Sequence, residues 1–179
     1  GVPATIGSFV HWDKKLDAIL AKQFMSVQSV KAVEIGKGVD IAKKFGTEVQ
    51  DQYSLDGKKI TKISNNLGGF EGGMTNGEEL HITAYLKPIS TTLTPISSID
   101  LAEKIETETV YERSDTCAVP RAIPIFEAIM AFEILNNLLI KTGGDHKKEI
   151  TQSFNNIPKL EINEFKIKNE LWSMKYDVE

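Results

Sequence analysis

The chain has 179 residues, of which 41% are hydrophobic and 26% are charged, and its net charge is −4. This composition is typical of a globular domain, and it excludes a disordered chain and a general nucleic-acid surface, which needs clustered basic residues. No run of apolar residues approaches the roughly 20 that span a bilayer, and the N-terminus lacks a signal-peptide pattern. The single cysteine excludes an internal disulfide, so we expect a cytoplasmic protein.

The first half of the chain carries alternating helix and strand signals. Apolar residues at helical spacing predict one long helix, and β-branched or alternating segments predict strands. The predicted elements are a helix over 13–26, a strand over 30–35, a short helix over 40–45, a surface loop over 49–58 and strands over 59–64 and 80–87. The clean alternation in the last of these is typical of a half-buried antiparallel sheet.

The second half is dominated by one apolar segment. Residues 120–140 predict a helix that is apolar nearly all round, which indicates a central helix covered by more than one partner. An ordered loop is expected over 88–99, a strand over 105–111 and an irregular strand in the tail after Asp145. The predicted fold class is α+β, with an antiparallel sheet packed on helices.

Three segments could carry chemistry, and no spacing typical of a metal site, a Walker loop or a dinucleotide fingerprint is present. The glycine-rich loop, residues 68–77, allows close approach to a phosphate or a flat ring, or is a flexible hairpin connection. Residues 87–92 offer an ammonium and hydroxyls after a strand, as ordinary loops also do. Residues 113–121 place both arginines of the chain and a carboxylate before a helix N-terminus, which suits an anion or a local ion pair.

In combination and in this order, these segments resemble chorismate synthase from Ser8 to about Gly144. The matching blocks are VHWDKKLDA at 10–18, MSVQSVKAVEIG at 25–36, GTEVQD at 46–51, NLGGFEGGMTNG at 66–77, KPIST at 87–91, RSDTC at 113–117 and VPRA at 119–122. The resemblance divides the chain into residues 1–144, the C-terminal half of the family's domain, and 145–179, a lineage-specific tail.

The resemblance implies a phosphate-eliminating lyase of aromatic amino acid biosynthesis. The family converts 5-enolpyruvylshikimate 3-phosphate into chorismate by a 1,4-elimination at the end of the shikimate pathway, and it requires reduced FMN as cofactor. Whether NADPH reduces the flavin in place stays open. The family fold is a β-α-β sandwich, of which this chain would be half, and the expected assembly is a homotetramer.

The resemblance also assigns site residues. The positions that match flavin contacts are Gln28, Ser29, Gly72, Lys87, Pro88, Ile89, Ser90, Thr91 and Arg113. The catalytic positions are Arg113 and Asp115, the latter matching an aspartate that takes or governs the proton of flavin N5. Its basicity would be tuned in opposite directions by burial and by Arg113. We expect the glycine-rich loop, the Lys-Pro strand end and the Arg-x-Asp corner to form one wall of a pocket.

Two departures from the family pattern qualify this prediction. Glu112 precedes Arg113 where the family usually has glycine, which adds a carboxylate beside an anion site. The family's N-terminal motifs, which supply the other arginines and a catalytic histidine, are missing from this sequence. We therefore expect an incomplete chain that needs its other half; the alternative is a non-catalytic flavin-binding or oligomerisation module of the same descent.

Overall fold

In a computed structural model of the chain, residues 1–167 are described. The helices are α1 (Leu16–Met25), α2 (Val39–Ala42), α3 (Gly46–Val49), α4 (Val119–Thr142) and α5 (Lys147–Asn155). The strands are β1 (Val30–Ile35), β2 (Tyr53–Asp56), β3 (Lys59–Lys62), β4 (Phe70–Glu71), β5 (Met74–Thr75), β6 (Ile82–Leu86), β7 (Ser97–Asp100) and β8 (Ile105–Glu108). The expected α+β class is confirmed.

The strands pair as four small antiparallel sheets of two strands each. Three of them, β2–β3, β4–β5 and β7–β8, are pairs of consecutive strands, whereas β1 and β6 are distant in sequence. The β1–β6 register is regular from Ile35 opposite Ile82 to Ala32 opposite Tyr85, and a bulge then separates Ala32 from Val30. The extra residue, Lys31, lies in β1, so the bulge bends the start of β1 where it faces the end of β6.

The core is built around one face of α1. Leu16, Leu20 and Phe24 recur every four residues, so they lie on one side of the helix, and all three are buried. They pack against Ile6 of the N-terminal segment and Phe70 of β4, with the inner faces of β1 and β6 around them. The ring of Phe24 also stacks on Phe126 of α4 at a centroid distance of 4.8 Å. Helix α1 therefore joins the sheet, the N-terminal segment and α4.

Helix α4 turns polar residues inward and many apolar ones outward. Glu133 and Asn137 are buried, and the Gln23 side-chain amide donates to the Glu133 carboxylate at 3.0 Å. Phe132 and Ile140, in contrast, are 68% and 74% exposed. Within residues 1–167, α4 is thus covered on one side only, whereas the sequence predicts cover on more than one.

Helix α4 is long and apolar enough to cross a membrane by length and composition, although no uninterrupted run of apolar residues in the chain approaches roughly 20. Helix α4 has 24 residues, and an 18-residue window within it has a mean hydropathy of 1.6. The few charged residues that interrupt the apolar ones lower this average only slightly. Core helices of soluble proteins pass the same test of length and hydropathy.

Several local expectations are corrected. The predicted surface loop over 49–58 contains β2, which is polar yet pairs residue by residue with β3. The predicted loop over 88–99 already includes the start of β7. The tail begins with α5, which the sequence did not predict, and the irregular strand expected around residues 160–167 is reduced to a single bridge between Glu161 and Lys59. The remainder of the predicted tail, from residue 168, lies outside the described residues.

The chain that leads into the glycine-rich loop is fixed by a buried carboxylate. Asp51 accepts hydrogen bonds from the Ser64 hydroxyl at 2.6 Å and from the backbone N–H groups of Asn66 at 2.7 Å and Leu67 at 3.0 Å. Burial favours a higher pKa for Asp51, but these hydrogen bonds and the Lys62 ammonium together hold the pKa below its ordinary value of 3.8. A charged Asp51 is therefore part of the folded structure.

The lowered pKa predicts how stability depends on pH. Because the folded-state pKa lies below the unfolded value of 3.8, the stabilisation is fully present above that value and is lost as pH falls through the folded pKa. We expect the free energy of unfolding, from urea titrations between about pH 5 and about pH 3, to fall more steeply for the wild type than for Asp51→Asn. Parallel curves for the two proteins would contradict this prediction.

The exposed face of α4 predicts self-association of the isolated chain. Phe132 is 68% exposed among other apolar side chains of the helix, and contiguous apolar patches promote association. We expect Phe132→Glu to lower the average mass seen by sedimentation velocity at high protein concentration. Leu93→Glu is the matched control, because Leu93 is 82% exposed in a loop outside α4. An equal effect of both substitutions would mean that α4 is not the associating surface.

Candidate functional site

One group of predicted site residues meets at the open end of the β1–β6 sheet. Gln28 and Ser29 connect α1 to β1, and Lys87 directly follows β6. The backbone N–H of Lys87 donates to the Ser29 carbonyl at 2.7 Å, which extends the pairing of the two strands by one bond. Ser29 has a φ of 71°, an unusual value for a residue with a side chain. The structure thus places two predicted flavin-contact segments, residues 28–29 and residues 87–91, side by side.

The segment after β6 presents polar groups to solvent. Lys87, Pro88 and Ser90 are exposed, and Ile89 and Thr91 are half-buried. An ammonium and two hydroxyls on one short segment are suitable donors for a phosphate or a carboxylate. This corner, residues 28–29 and 87–91, is called the strand-end corner below.

The glycine-rich loop turns at Gly72, between β4 and β5. Gly72 has a φ of +61°, and a Cβ added there would meet no atom within 4 Å, so the turn faces open space. Its neighbour Gly73 is packed tightly, since its carbonyl accepts the N–H of Leu16 at 2.8 Å and a Cβ there would lie 2.7 Å from the Ser8 carbonyl. The turn is therefore fixed against the start of α1 while its tip stays accessible.

The Gly72 turn and the strand-end corner lie at opposite ends of α1. Leu16, at the first residue of the helix, contacts Gly73, and Gln28 follows the last turn of the helix. The ten residues of α1 span about 15 Å at the usual rise per residue. A ligand that touched both places would have to be elongated.

A salt bridge joins the glycine-rich loop to the β2–β3 hairpin. The Lys62 ammonium lies 2.6 Å from the Glu71 carboxylate, and the Lys62 side chain is only 5% exposed. The ammonium also lies over the ring of Tyr53, 4.7 Å from its centroid. Burial favours a lower pKa for Lys62, but the Glu71 carboxylate raises the pKa above its ordinary value of 10.5. Glu71 is thereby held next to Gly72.

The predicted catalytic segment is arranged differently from the expectation. Arg113 and Asp115 lie in the exposed connection between β8 and α4. The Asp115 carboxylate pairs with Arg121 of the first turn of α4 at 3.1 Å, rather than with Arg113, and both side chains are solvent-exposed. Exposed pairs of this kind contribute little to stability. The burial expected for Asp115 is not found, and its catalytic role stays a prediction.

No direct contact in the described residues joins the three segments that we expected to form one wall, and that wall stays a prediction. The strand-end corner is formed, the Gly72 turn lies a helix length away, and no hydrogen bond or ion pair within residues 1–167 links Arg113 to either. A cleft of about 800 Å³ lies elsewhere, between the N-terminal segment, β3, the end of the glycine-rich loop and residues 154–160. Within residues 1–167 no group of three or more His, Cys, Asp or Glu could hold a metal ion.

Sequence reasoning missed the residues that fix the glycine-rich loop. Asp51 lies in the predicted surface loop, Lys62 in a predicted strand and Glu71 in the glycine-rich loop, and none of them is among the predicted site residues. The one available signal was that Asp51 closes the GTEVQD block of the family resemblance. Nothing in the spacing indicates that Lys62 would be buried beside Glu71.

Comparison with known proteins supports the family resemblance of the matching sequence blocks. The sequence profile of chorismate synthase matches residues 1–139. The chorismate synthase of Geobacter sulfurreducens is 44% identical over 162 residues, which cover 86% of this chain and 41% of that protein. The chorismate synthase of Chlorobaculum tepidum is 46% identical over 153 residues, which cover 85% of this chain and 38% of that protein. The chain therefore spans about 40% of the length of these curated relatives.

A solved structure confirms the fold relationship. A crystal structure of chorismate synthase matches with a TM-score of 0.69 and 35% sequence identity, and the match covers 87% of this chain and 39% of that one. The profile match, the identity to the curated relatives and the structural match all refer to the same family. The chain belongs to the chorismate synthase family.

Proposed function

We propose that this chain is part of a chorismate synthase, a lyase that removes phosphate from 5-enolpyruvylshikimate 3-phosphate by 1,4-elimination and requires reduced FMN. The observation that carries the proposal is 44% identity to a named chorismate synthase across 86% of this chain. Because the chain spans 41% of that relative, we assign the activity to the longer polypeptide to which such a chain would belong. We expect that protein to be a cytoplasmic homotetramer.

The residues of this chain fit part of a flavin site. The strand-end corner offers the Lys87 ammonium with the hydroxyls of Ser90 and Thr91, donors that suit a phosphate group. The Gly72 turn leaves open space at its tip, which suits close approach of backbone to a flat ring. When bound, reduced FMN would supply the electron density that lowers the barrier to phosphate loss.

The catalytic contribution of this chain would be to orient the substrate and hold a proton. Arg113 would bind an anionic group of the substrate or flavin, and Asp115 would accept a proton at its carboxylate. In the structure Arg121 already pairs with Asp115, so the carboxylate is kept beside a cation. The segment would have to rearrange or be covered for Asp115 to work away from water.

The substrate charge supports the need for further residues. A phosphate and two carboxylates require several fixed cations, and this sequence contains two arginines. We infer that the remaining cations come from the rest of a longer chain or from a companion polypeptide. The rival proposal is a non-catalytic module that binds flavin or mediates oligomerisation, and it is favoured only by the incomplete set of cations.

The proposal predicts a difference in turnover between this chain and the longest product of its reading frame. With reduced FMN and 5-enolpyruvylshikimate 3-phosphate, we expect chorismate formation by the longer product and none above background by residues 1–179 alone. Chorismate absorbance under anaerobic conditions is the measurement. Full turnover by the isolated chain would refute the need for further residues, and absence of turnover in both would favour the non-catalytic module.

A second prediction concerns the proton. In the active protein, Asp115→Asn should leave FMN affinity within about twofold and lower turnover by roughly 10²–10⁴-fold, the usual effect of removing a positioned base. Glu112→Gln is the control, because it neutralises a carboxylate in the same exposed segment. Equal turnover of wild type and Asp115→Asn would show that the role does not belong to Asp115.

A further inference from the structure

Residues 51–62 hold the glycine-rich loop at two separate points, one just before the loop at residues 66–67 and one inside it at Glu71. Asp51 binds the turn at its entry, and Lys62 binds Glu71 beside its tip. Both contacts are made by charged side chains with very little exposure, 7% for the residue Asp51 and 5% for the side chain of Lys62. Charged groups are rarely buried unless a specific partner compensates the lost hydration, so burial at these two positions costs free energy that their partners must offset.

The entry contact uses both carboxylate oxygens of Asp51. One oxygen of Asp51 accepts from the Asn66 N–H and the Ser64 hydroxyl, and the other accepts from the Leu67 N–H. The Asn66 side chain in turn donates to the Val49 carbonyl at 3.0 Å. The turn that begins at Asn66 is therefore bound both to Asp51 and to Val49, which fixes the orientation of its backbone.

The orientation of this turn is coupled to the β1–β6 sheet, because residues 66–68 pack closely against the residues that flank the two strands. The Asn66 carbonyl accepts the N–H of Lys37 at 2.9 Å, and Gly68 packs directly on Gly36, where a Cβ on either glycine would overlap the other backbone. The Gly68 carbonyl then accepts the N–H of His81 at 3.0 Å. A shift of the turn would break contacts with both β1 and β6.

The tip contact fixes the other end of the loop. Glu71 is the residue before Gly72, and its carboxylate is bound by the Lys62 ammonium at 2.6 Å and by the Tyr53 hydroxyl at 3.4 Å. The open tip at Gly72 thus lies between a backbone fixed by Asp51 and a side chain fixed by Lys62. A loop that is held at both of these points and is open to approach at Gly72 is preorganised for a ligand.

We propose that Asp51 and Lys62 are positioning residues that hold the Gly72 turn in the conformation that binds flavin, without touching the flavin themselves. This inference rests on the proposed function. In this proposal the β2–β3 hairpin and the residues just before it support the flavin site indirectly, because they hold the glycine-rich loop. The expected consequence is a loss of flavin affinity on removal of either charge, with the chemistry at saturating flavin unchanged.

The first test is Asp51→Asn in the longest product of the reading frame. An asparagine amide would face the Leu67 N–H with a donor, so the turn loses one hydrogen bond and gains a repulsion. We expect the FMN dissociation constant, from fluorescence quenching, to rise about tenfold, which corresponds to the loss of one buried hydrogen bond. Turnover at saturating FMN should recover to within about twofold of the wild type.

The matched control is Asp100→Asn. Asp100 also accepts two backbone N–H groups, from Ala102 at 2.8 Å and Glu103 at 3.0 Å, but in the β7–β8 turn. This substitution should leave the FMN dissociation constant within about twofold, since the same chemical change is made away from the glycine-rich loop. Equal rises in both variants would overturn the inference, as would an unchanged constant for Asp51→Asn.

A second pair of variants covers the case in which Asp51→Asn fails to fold. Lys62→Met keeps the length of the side chain and removes its charge, and Lys43→Met does the same to an exposed pair with Asp40 at 3.4 Å. We expect Lys62→Met alone to weaken FMN binding, by about three- to tenfold. A purely structural role would instead lower the fraction of active protein at every FMN concentration and leave the dissociation constant of the folded fraction unchanged.

Amide hydrogen exchange separates this inference from the proposed function. In Asp51→Asn, or in Lys62→Met if the first variant does not fold, the amides of residues 66–72 should exchange at least about tenfold faster, while those of β1 stay protected. If the wild type binds no FMN, the proposed function fails and the exchange data alone decide whether the two residues hold the loop. Unchanged exchange at residues 66–72 would overturn the inference in every case.

Discussion

The close approach of two backbones at Gly36 and Gly68 is the constraint on which the described structure depends. Neither position has room for a Cβ, because the turn at the end of β1 lies directly on the turn that opens the glycine-rich loop. Hydrogen bonds on both sides, from Lys37 to Asn66 and from His81 to Gly68, keep the two turns in contact. The loop is therefore attached to the β1–β6 sheet and cannot move independently of it, although it contains many glycines.

Helices α1 and α4 differ in which side chains they bury. The apolar face of α1 fills the small core, whereas α4 exposes Phe132 and Ile140 and buries Glu133 against Gln23. The curated relatives are more than twice as long as the matched region, and the solved relative is covered for 39% of its length. A helix with apolar side chains on its exposed side is what one expects when much of a family's fold lies outside the chain.

The candidate site follows the same division. The strand-end corner is formed in this chain because β1 begins and β6 ends there, and the Gly72 turn is fixed by contacts with Lys62 and with Leu16 at the start of α1. The Arg113–Asp115 segment has no such support, and Asp115 pairs with the nearest cation, Arg121. Positions with partners inside the described residues are formed, whereas the exposed Arg113–Asp115 segment is held only by the pair with Arg121.

The sequence by itself determined the class of fold, the two long helices, four of the eight strands in the described residues and the family, since these depend on periodicity and on motifs that are read locally. It placed β1 to the residue, and it identified the apolar character of α4 without its exposure. Only the tertiary structure decided that Asp51 reaches Leu67, 16 residues away, that Lys62 is buried beside Glu71, and that β2 is a strand. The physical reason is that a polar side chain has no preferred environment until the chain supplies its partner, and partners distant in sequence meet only in the folded state.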